Sequence, residues 1–328
     1  MRIGIIGGSG FVGSHIALHL AEKGYDVTIY DIQKPRFFHK NIKFVRKDII
    51  NENIAEIGNN EIIINTAIIQ LPMINEKPEL GYRVNIMGLQ RILEIVRDSR
   101  KVKGFILTSS WHVYGEKLEG EITEEYGYHP DRVSERASLY VYSKIGQEVL
   151  TRFFSKLAPE KHFIILRLGT VLGEGMPEKT AANIFIKNAL KGKPITPYKN
   201  TMYRPMFYVD IRDVCRVVER MIDMINHDKN CSISGAYNVF YPKPITILEL
   251  AKIVRDSVYE ITRGKIRPEI RVVEVTSAEE VFSEGDAKKI RGNIEKLQKA
   301  LGIRIALRHP REIIRLLIMS NLDRPFKE

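Results

Sequence analysis

The sequence predicts a doubly wound parallel α/β sheet joined to a smaller, mixed α/β C-terminal domain. Apolar runs of strand length alternate with helix-length segments up to about residue 170, and beyond Gly173 the rhythm loosens where Pro177, Pro194, Pro197, Pro205, Pro242 and Pro244 break the segments. The expected division is a first domain over 1–172, with 205–240 returning in part to it, and a second over 173–204 and 241–328. Arg2-Ile-Gly-Ile-Ile-Gly7 is the first strand-like run, and Gly8-Ser-Gly10-Phe-Val-Gly13 follows as a glycine-rich turn. Ser14 to Gly24 carries apolar residues at helical spacing and ends in glycine, so it reads as a helix with a C-terminal stop. Asp26-Val-Thr-Ile-Tyr-Asp31 is the next strand. Residues 41–48, 61–67, 102–108 and 162–168 complete the series.

A strand, a glycine-rich turn and a helix together form a dinucleotide-binding unit. Glycines at 7, 10 and 13 let the backbone approach a pyrophosphate, and the helix N-terminus meets its charge. Asp31, ending the next strand, is placed to accept hydrogen bonds from a ribose, which favours NAD; Lys34 and Arg36 offer the alternative, a 2′-phosphate and hence NADP.

Composition narrows the class. The 328 residues are 44% hydrophobic and 28% charged, as in a soluble globular protein. No apolar run approaches the ~18 residues of a membrane span, and residues 1–13 enter the fold directly, which argues against a signal peptide. Cys215 and Cys231 are too few for a disulfide framework or a metal site, which fits a reducing cytoplasm, and the histidines show no ligand spacing. The net charge of +11 comes from Lys and Arg spread among Glu and Asp, so the expectation is a solvated, ion-paired surface rather than a nucleic-acid face.

Tyr140-Val-Tyr-Ser-Lys144 is the stretch with most chemistry in it. On a helix, positions i and i+4 share a face, so an ammonium beside a phenol favours the phenolate. The pattern alone is cheap, since Tyr30-Asp-Ile-Gln-Lys34 repeats it with no evident use. Ser110 follows a predicted strand, which puts its hydroxyl at the carboxyl end of the sheet, where ligands bind in open α/β folds.

Gly7-x-x-Gly10-x-x-Gly13, Asp31, Asp48-Ile49, Ser109-Ser110-Trp-His-Val-Tyr-Gly115, Tyr140-x-x-x-Lys144 and Arg167-x-x-x-Val171-x-Gly173 stand in the order of the extended short-chain dehydrogenase/reductases. More closely, the chain resembles the NAD-dependent nucleotide-sugar epimerase/dehydratase family, in the manner of UDP-glucose 4-epimerases. Asn85-Ile-Met-Gly88, Gly192-Lys-Pro-Ile195, Tyr203-Arg-Pro-Met-Phe-Tyr-Val-Asp-Ile-Arg-Asp213, Ala236-Tyr-Asn-Val239 and Leu301-Gly302 extend the likeness over nearly the whole chain. The resemblance implies a Rossmann domain contacting NAD through Gly7, Gly10, Phe11, Val12, Gly13, Asp31, Asp48, Ile49, Ala67, Tyr140 and Lys144. It also implies that Ser110 binds the reacting oxygen, that Tyr140 is the general base and that Lys144 holds the nicotinamide ribose and lowers the tyrosine pKa. Trp111, His112, Thr170 and Arg204 are the implied substrate contacts, for a nucleotide-sugar or related small molecule. The expected cycle is transient hydride transfer to bound NAD through a 4-keto intermediate. A dehydrogenase that releases NADH, acting on a sugar, uronate or other small alcohol, is the alternative, and a dinucleotide-sensing or RNA-binding member lies further off.

Several positions depart from the family pattern. Trp111 and His112 stand where 4,6-dehydratases carry an Asp-Glu pair, and neither replaces a carboxylate, so an epimerase is favoured over a dehydratase. His112 is either a substrate contact or a satisfied loop histidine. Thr170 replaces the usual Asn, and Ser283-Glu-Gly-Asp286 lacks the usual arginine, which removes a charge-assisted diphosphate contact. Asp210 and Asp213 are expected to cap a helix. A homodimer is the family expectation, with Leu89, Ile92, Leu93 and Val96, together with Val149, Leu150 and Phe153, as candidate apolar contacts; packing onto the sheet competes for the same residues.

Overall fold

The computed structural model describes residues 1–227, 233–275, 282–302 and 306–323; Cys231 lies outside them. Seven strands form one sheet, in the order Gly235–Val239, His162–Leu168, Gly104–Ser110, Ile62–Asn65, Arg2–Ile6, Asp26–Asp31, Ile42–Arg46, and every neighbouring pair is parallel. Strands of such a sheet are covered on both faces and read as continuous apolar runs. Gly104–Ser110 and His162–Leu168 accordingly are buried along their whole length.

One face of the sheet presents Ile3, Ile5, Ile29, Ile62, Ile64 and Ile106 to the helices Phe11–Glu22 and Ile211–His227. The other packs Ile6, Ile63, Phe105, Leu107 and Phe163 against the helix Leu89–Asp98 and against Phe154 of the helix Glu135–Leu157. Leu89, Ile92, Leu93 and Val96 are spent here, each no more than 1% exposed. They therefore supply nothing to a second copy, because the sheet needs an apolar cover and a helix has one buried face to give.

Two boundaries move from their expected places. The helix after the glycine turn begins at Phe11, ahead of Ser14, because Gly10 takes the N-cap position and its carbonyl accepts the Ser14 N–H at 3.0 Å. The strand expected over 102–108 runs instead from Gly104 to Ser110, since Ser109 and Ser110 pair with Arg167 and Leu168. Ser110 is thus the last strand residue rather than the first loop residue.

Leu172, Phe185, Ile186, Leu250, Val254, Ile314 and Ile318 form a separate apolar cluster, built by the helices Ala181–Leu190, Ile247–Ile261 and Pro310–Asp323. A capping box opens the second of these: Thr246 Oγ1 accepts the Glu249 N–H at 3.0 Å while the Glu249 carboxylate accepts the Thr246 N–H at 2.8 Å. Two short parallel pairs, Tyr208–Asp210 on Thr170–Leu172 and Ile290–Gly292 on Gly120–Ile122, stitch this part to the loops above the sheet. Among the described residues no helix is long and apolar enough to cross a membrane.

Candidate active site

Strand order reverses between Arg2–Ile6 and Ile62–Asn65, and the crevice at such a point, outside the carboxyl ends of the strands, is where open α/β sheets bind ligands. The glycine turn sits there. Gly7 has φ +76°, and a Cβ on it would lie 2.6 Å from the Ala67 nitrogen; one on Gly13 would lie 2.5 Å from the Gly7 carbonyl oxygen and 2.6 Å from Thr66 Oγ1. Side chains are excluded on both sides, so bare backbone faces the crevice. Phe11 and Val12 open the helix, whose first turn carries neither a side-chain cap nor an acidic residue, leaving its leading N–H groups as an uncompensated positive end. Asp31 stands at the end of its strand with its carboxylate accepting the N–H groups of Ser9 and Gln33, each at 3.0 Å. Arg36 is held by backbone: Nε donates to Ser9 O at 3.2 Å and Nη1 to Gly175 O at 3.0 Å. Asp48 accepts the Ile50 N–H and the Asn51 Nδ2 group at 2.8 Å each, and the Ile49 carbonyl accepts from Arg91. A cradle with no room for a Cβ, a free helix N-terminus and a carboxylate on the next strand fit a dinucleotide.

Beside this cradle the fold brings Ser110, Tyr140 and Lys144 together. The strand Gly104–Ser110 delivers the serine, and one turn of Glu135–Leu157 separates the other two. Burial pushes the Tyr140 phenol above its ordinary pKa, with a hydrogen bond involving Ser110 opposing. Lys144 is 4% exposed, and burial lowers its pKa to about 7, with Glu148 pulling the other way. Its Nζ donates to Thr108 O at 2.7 Å and to Gln147 Oε1 at 3.2 Å. Lys144 Nζ is thus turned toward the strand, one helical turn from the buried phenol. The twin pattern at Tyr30 has another use, since that ring is buried and its hydroxyl accepts from Asn60 Nδ2 at 3.1 Å. Tyr142 faces outward, 53% exposed.

His112 Nδ1 lies 3.0 Å from Ser110 Oγ, and its ring meets Tyr140 edge-on with centroids 6.3 Å apart. Burial, aided by the charge of Arg204, lowers the His112 pKa to about 3, so the imidazole is neutral. Trp111 is buried, packs edge-on against Phe207 and donates to Thr170 Oγ1 at 3.4 Å, which ties two of the predicted substrate contacts to each other. Arg204 approaches from the other side, but Nη2 donates to the buried Glu116 at 2.7 Å, and Ser134 Oγ meets the same carboxylate oxygen at 3.2 Å. Its charge is largely matched within the protein. Asp210 accepts the Arg212 N–H at 2.9 Å, and Asp213 the Arg308 N–H at 2.7 Å. Ser283 donates its N–H to Asp286 at 2.7 Å. Among the described residues no group of three or more His, Cys, Asp or Glu could hold a metal.

Sequence reasoning missed the polar core beneath the trio. Glu148, one turn past Lys144 and fully buried, binds Arg167 through Nη2 at 2.8 Å and accepts from Ser109 Oγ at 2.6 Å and Tyr128 OH at 2.9 Å. Arg167 also donates to Tyr114 OH at 2.8 Å and Glu124 O at 2.9 Å. The available signal was a glutamate four residues after the lysine, on the same helix face.

This chain belongs to the NAD dependent epimerase/dehydratase family, whose model matches residues 3–239, and NAD is the family's cofactor. Among named relatives it is 25% identical over 313 residues to UDP-glucuronic acid decarboxylase 4 of Arabidopsis thaliana, covering 92% of this chain and 64% of that one. It is 27% identical over 286 residues to UDP-glucose 4-epimerase of Dictyostelium discoideum, covering 78% and 81%. The chain thus spans less than two thirds of the plant decarboxylase. Among solved structures, MoeE5 in complex with UDP-glucuronic acid and NAD superposes with a TM-score of 0.78 at 20% identity, covering 98% of this chain and 99% of that one, which shows the same fold.

Proposed function

We propose that the protein is a cytoplasmic, NAD-dependent nucleotide-sugar epimerase of the UDP-glucose 4-epimerase type. The observation that carries the reading is the meeting of Ser110, Tyr140 and Lys144 beside the glycine cradle. When bound, NAD supplies a reversible hydride acceptor. Ser110 hydrogen-bonds the sugar C4 oxygen, Tyr140 takes the proton of that hydroxyl, and Lys144 keeps one donor for the cofactor ribose after its bonds to Thr108 and Gln147. The resulting 4-keto sugar would turn so that C4 regains the hydride on its other face while Tyr140 returns the proton to the C4 oxygen.

Kinship is divided between enzymes named for hexose epimerisation and for glucuronate decarboxylation. A neutral hexose is favoured here because Arg204, the cation beside His112, is already matched by Glu116 and leaves no uncompensated positive charge for a sugar carboxylate. No carboxylate occupies positions 111 and 112 for the elimination of water. We further propose a homodimer formed along the exposed stripe Tyr142, Val149, Phe153 and Leu157 of the catalytic helix. The test of the reading is mass spectrometry of small molecules retained by the native protein: bound NAD with a nucleotide hexose supports it, and NADPH or no dinucleotide contradicts it.

A further inference from the structure

We propose that Gln147 is a positioning residue, tying Lys144 to the backbone of a π-helical turn. This rests on the reading of Lys144 given above. Gln147 has no solvent exposure, and both ends of its amide are used: Oε1 accepts from Lys144 Nζ at 3.2 Å and Nε2 donates to Asn85 O at 3.1 Å. Asn85 lies within Arg83–Gly88, a π-helical stretch, a local form found frequently at functional sites. That turn is itself pinned. Asn85 Oδ1 accepts the Ile69 N–H at 2.7 Å, while Nδ2 donates to Ile69 O at 2.9 Å and to Ser143 Oγ at 3.2 Å. The chain of bonds runs from the segment after Ile62–Asn65, through the π turn and the glutamine, to the ammonium.

The bond count gives the relay its purpose. An ammonium has three N–H donors; Thr108 O takes one and Gln147 another, so the third has a fixed direction. Without Gln147 the side chain would be held at one point and free to swing. The surroundings make the neutral acceptor matter. On its own helix Lys144 has Tyr140 and Glu148; the Glu148 carboxylate raises the Lys144 pKa, although it is shared with Arg167 at 2.8 Å and Tyr128 at 2.9 Å. His112, beyond Tyr140, is neutral, the strand offers uncharged Thr108, Ser109 and Ser110, and the π turn offers uncharged Asn85. Hydrogen bonds to the charged form favour that form, so Gln147 supports the ammonium.

The experiment is to titrate Lys144 by NMR in the full chain carrying isotope-labelled lysine, with the signal assigned through Lys144→Met. Gln147→Met removes the acceptor, and the midpoint, about 7 in the parent, is expected to fall by roughly one unit. Gln147→Glu keeps the acceptor and adds charge, so the midpoint is expected to rise by about as much. In turnover assays the alkaline limb of the pH profile should move down in the first variant and up in the second, whereas a packing defect would scale the profile without moving it. Unmoved midpoints in both variants would overturn the proposal; if Gln147→Met does not fold, an unmoved midpoint in Gln147→Glu overturns it alone. A Tyr140→Phe protein that kept its turnover would instead overturn the catalytic reading and leave the titration result standing.

Discussion

At the scale of single residues, the proposed chemistry rests most on Tyr140 and Lys144. Tyr140→Phe should lower turnover by at least about a hundredfold while leaving NAD affinity near that of the parent, measured by steady-state kinetics and nucleotide titration. Lys144 makes a second prediction. Its folded pKa of about 7 lies below the ordinary 10.5, so the unfolded chain binds the extra proton between those values and stability rises with pH across that window. Below about 7 both states are protonated and the cost of burying the ammonium is fully present. Denaturant unfolding at a series of pH values should therefore show a steeper rise for the parent than for Lys144→Met. These residues were legible from context, because Tyr140-x-x-x-Lys144 follows the glycine turn and Ser110 in the order of the family's motifs, whereas the spacing alone recurs at Tyr30. Glu116 was not legible: it meets Arg204 across 88 positions, and only the folded chain brings that acid to that base.

At the scale of elements, two local assemblies set the site. The glycine turn tolerates no side chain at Gly13, where a Cβ would press on backbone that cannot move aside. Gly13→Ala should abolish NAD retention while the cluster built by Ala181–Leu190, Ile247–Ile261 and Pro310–Asp323 stays folded, read by nucleotide content and circular dichroism after gel filtration. Along the helix Glu135–Leu157, the Glu148–Arg167 pair is buried on both sides, so removing one partner strands a charge. Glu148→Gln should cost about 3–5 kcal/mol in denaturant unfolding, and Glu148→Leu combined with Arg167→Met should recover much of it. The strands and the glycine turn were readable from apolar runs and residue type. Their ends were not, because Ser109 and Ser110 join the sheet by pairing with Arg167 and Leu168, a partner set by tertiary contact.

At the scale of the whole molecule, a doubly wound parallel sheet was foreseeable from alternating strands and helices, whereas the assignment of apolar helix faces was not. Leu89, Ile92, Leu93 and Val96 could serve the sheet or a partner from sequence alone, and the fold gives them to the sheet. Val149 and Phe153, 51% and 56% exposed, remain on the outside. If they form the proposed dimer, Val149→Glu with Phe153→Glu should halve the mass seen in sedimentation velocity; an unchanged mass would contradict that interface. Central to the account is what the site does to a neutral nucleotide hexose. The direct measurement is product analysis after incubation with NAD and, separately, UDP-glucose, UDP-galactose and UDP-glucuronate. The account predicts interconversion of the first two without accumulation of NADH, lost in Tyr140→Phe; release of carbon dioxide from UDP-glucuronate with no hexose interconversion would contradict it.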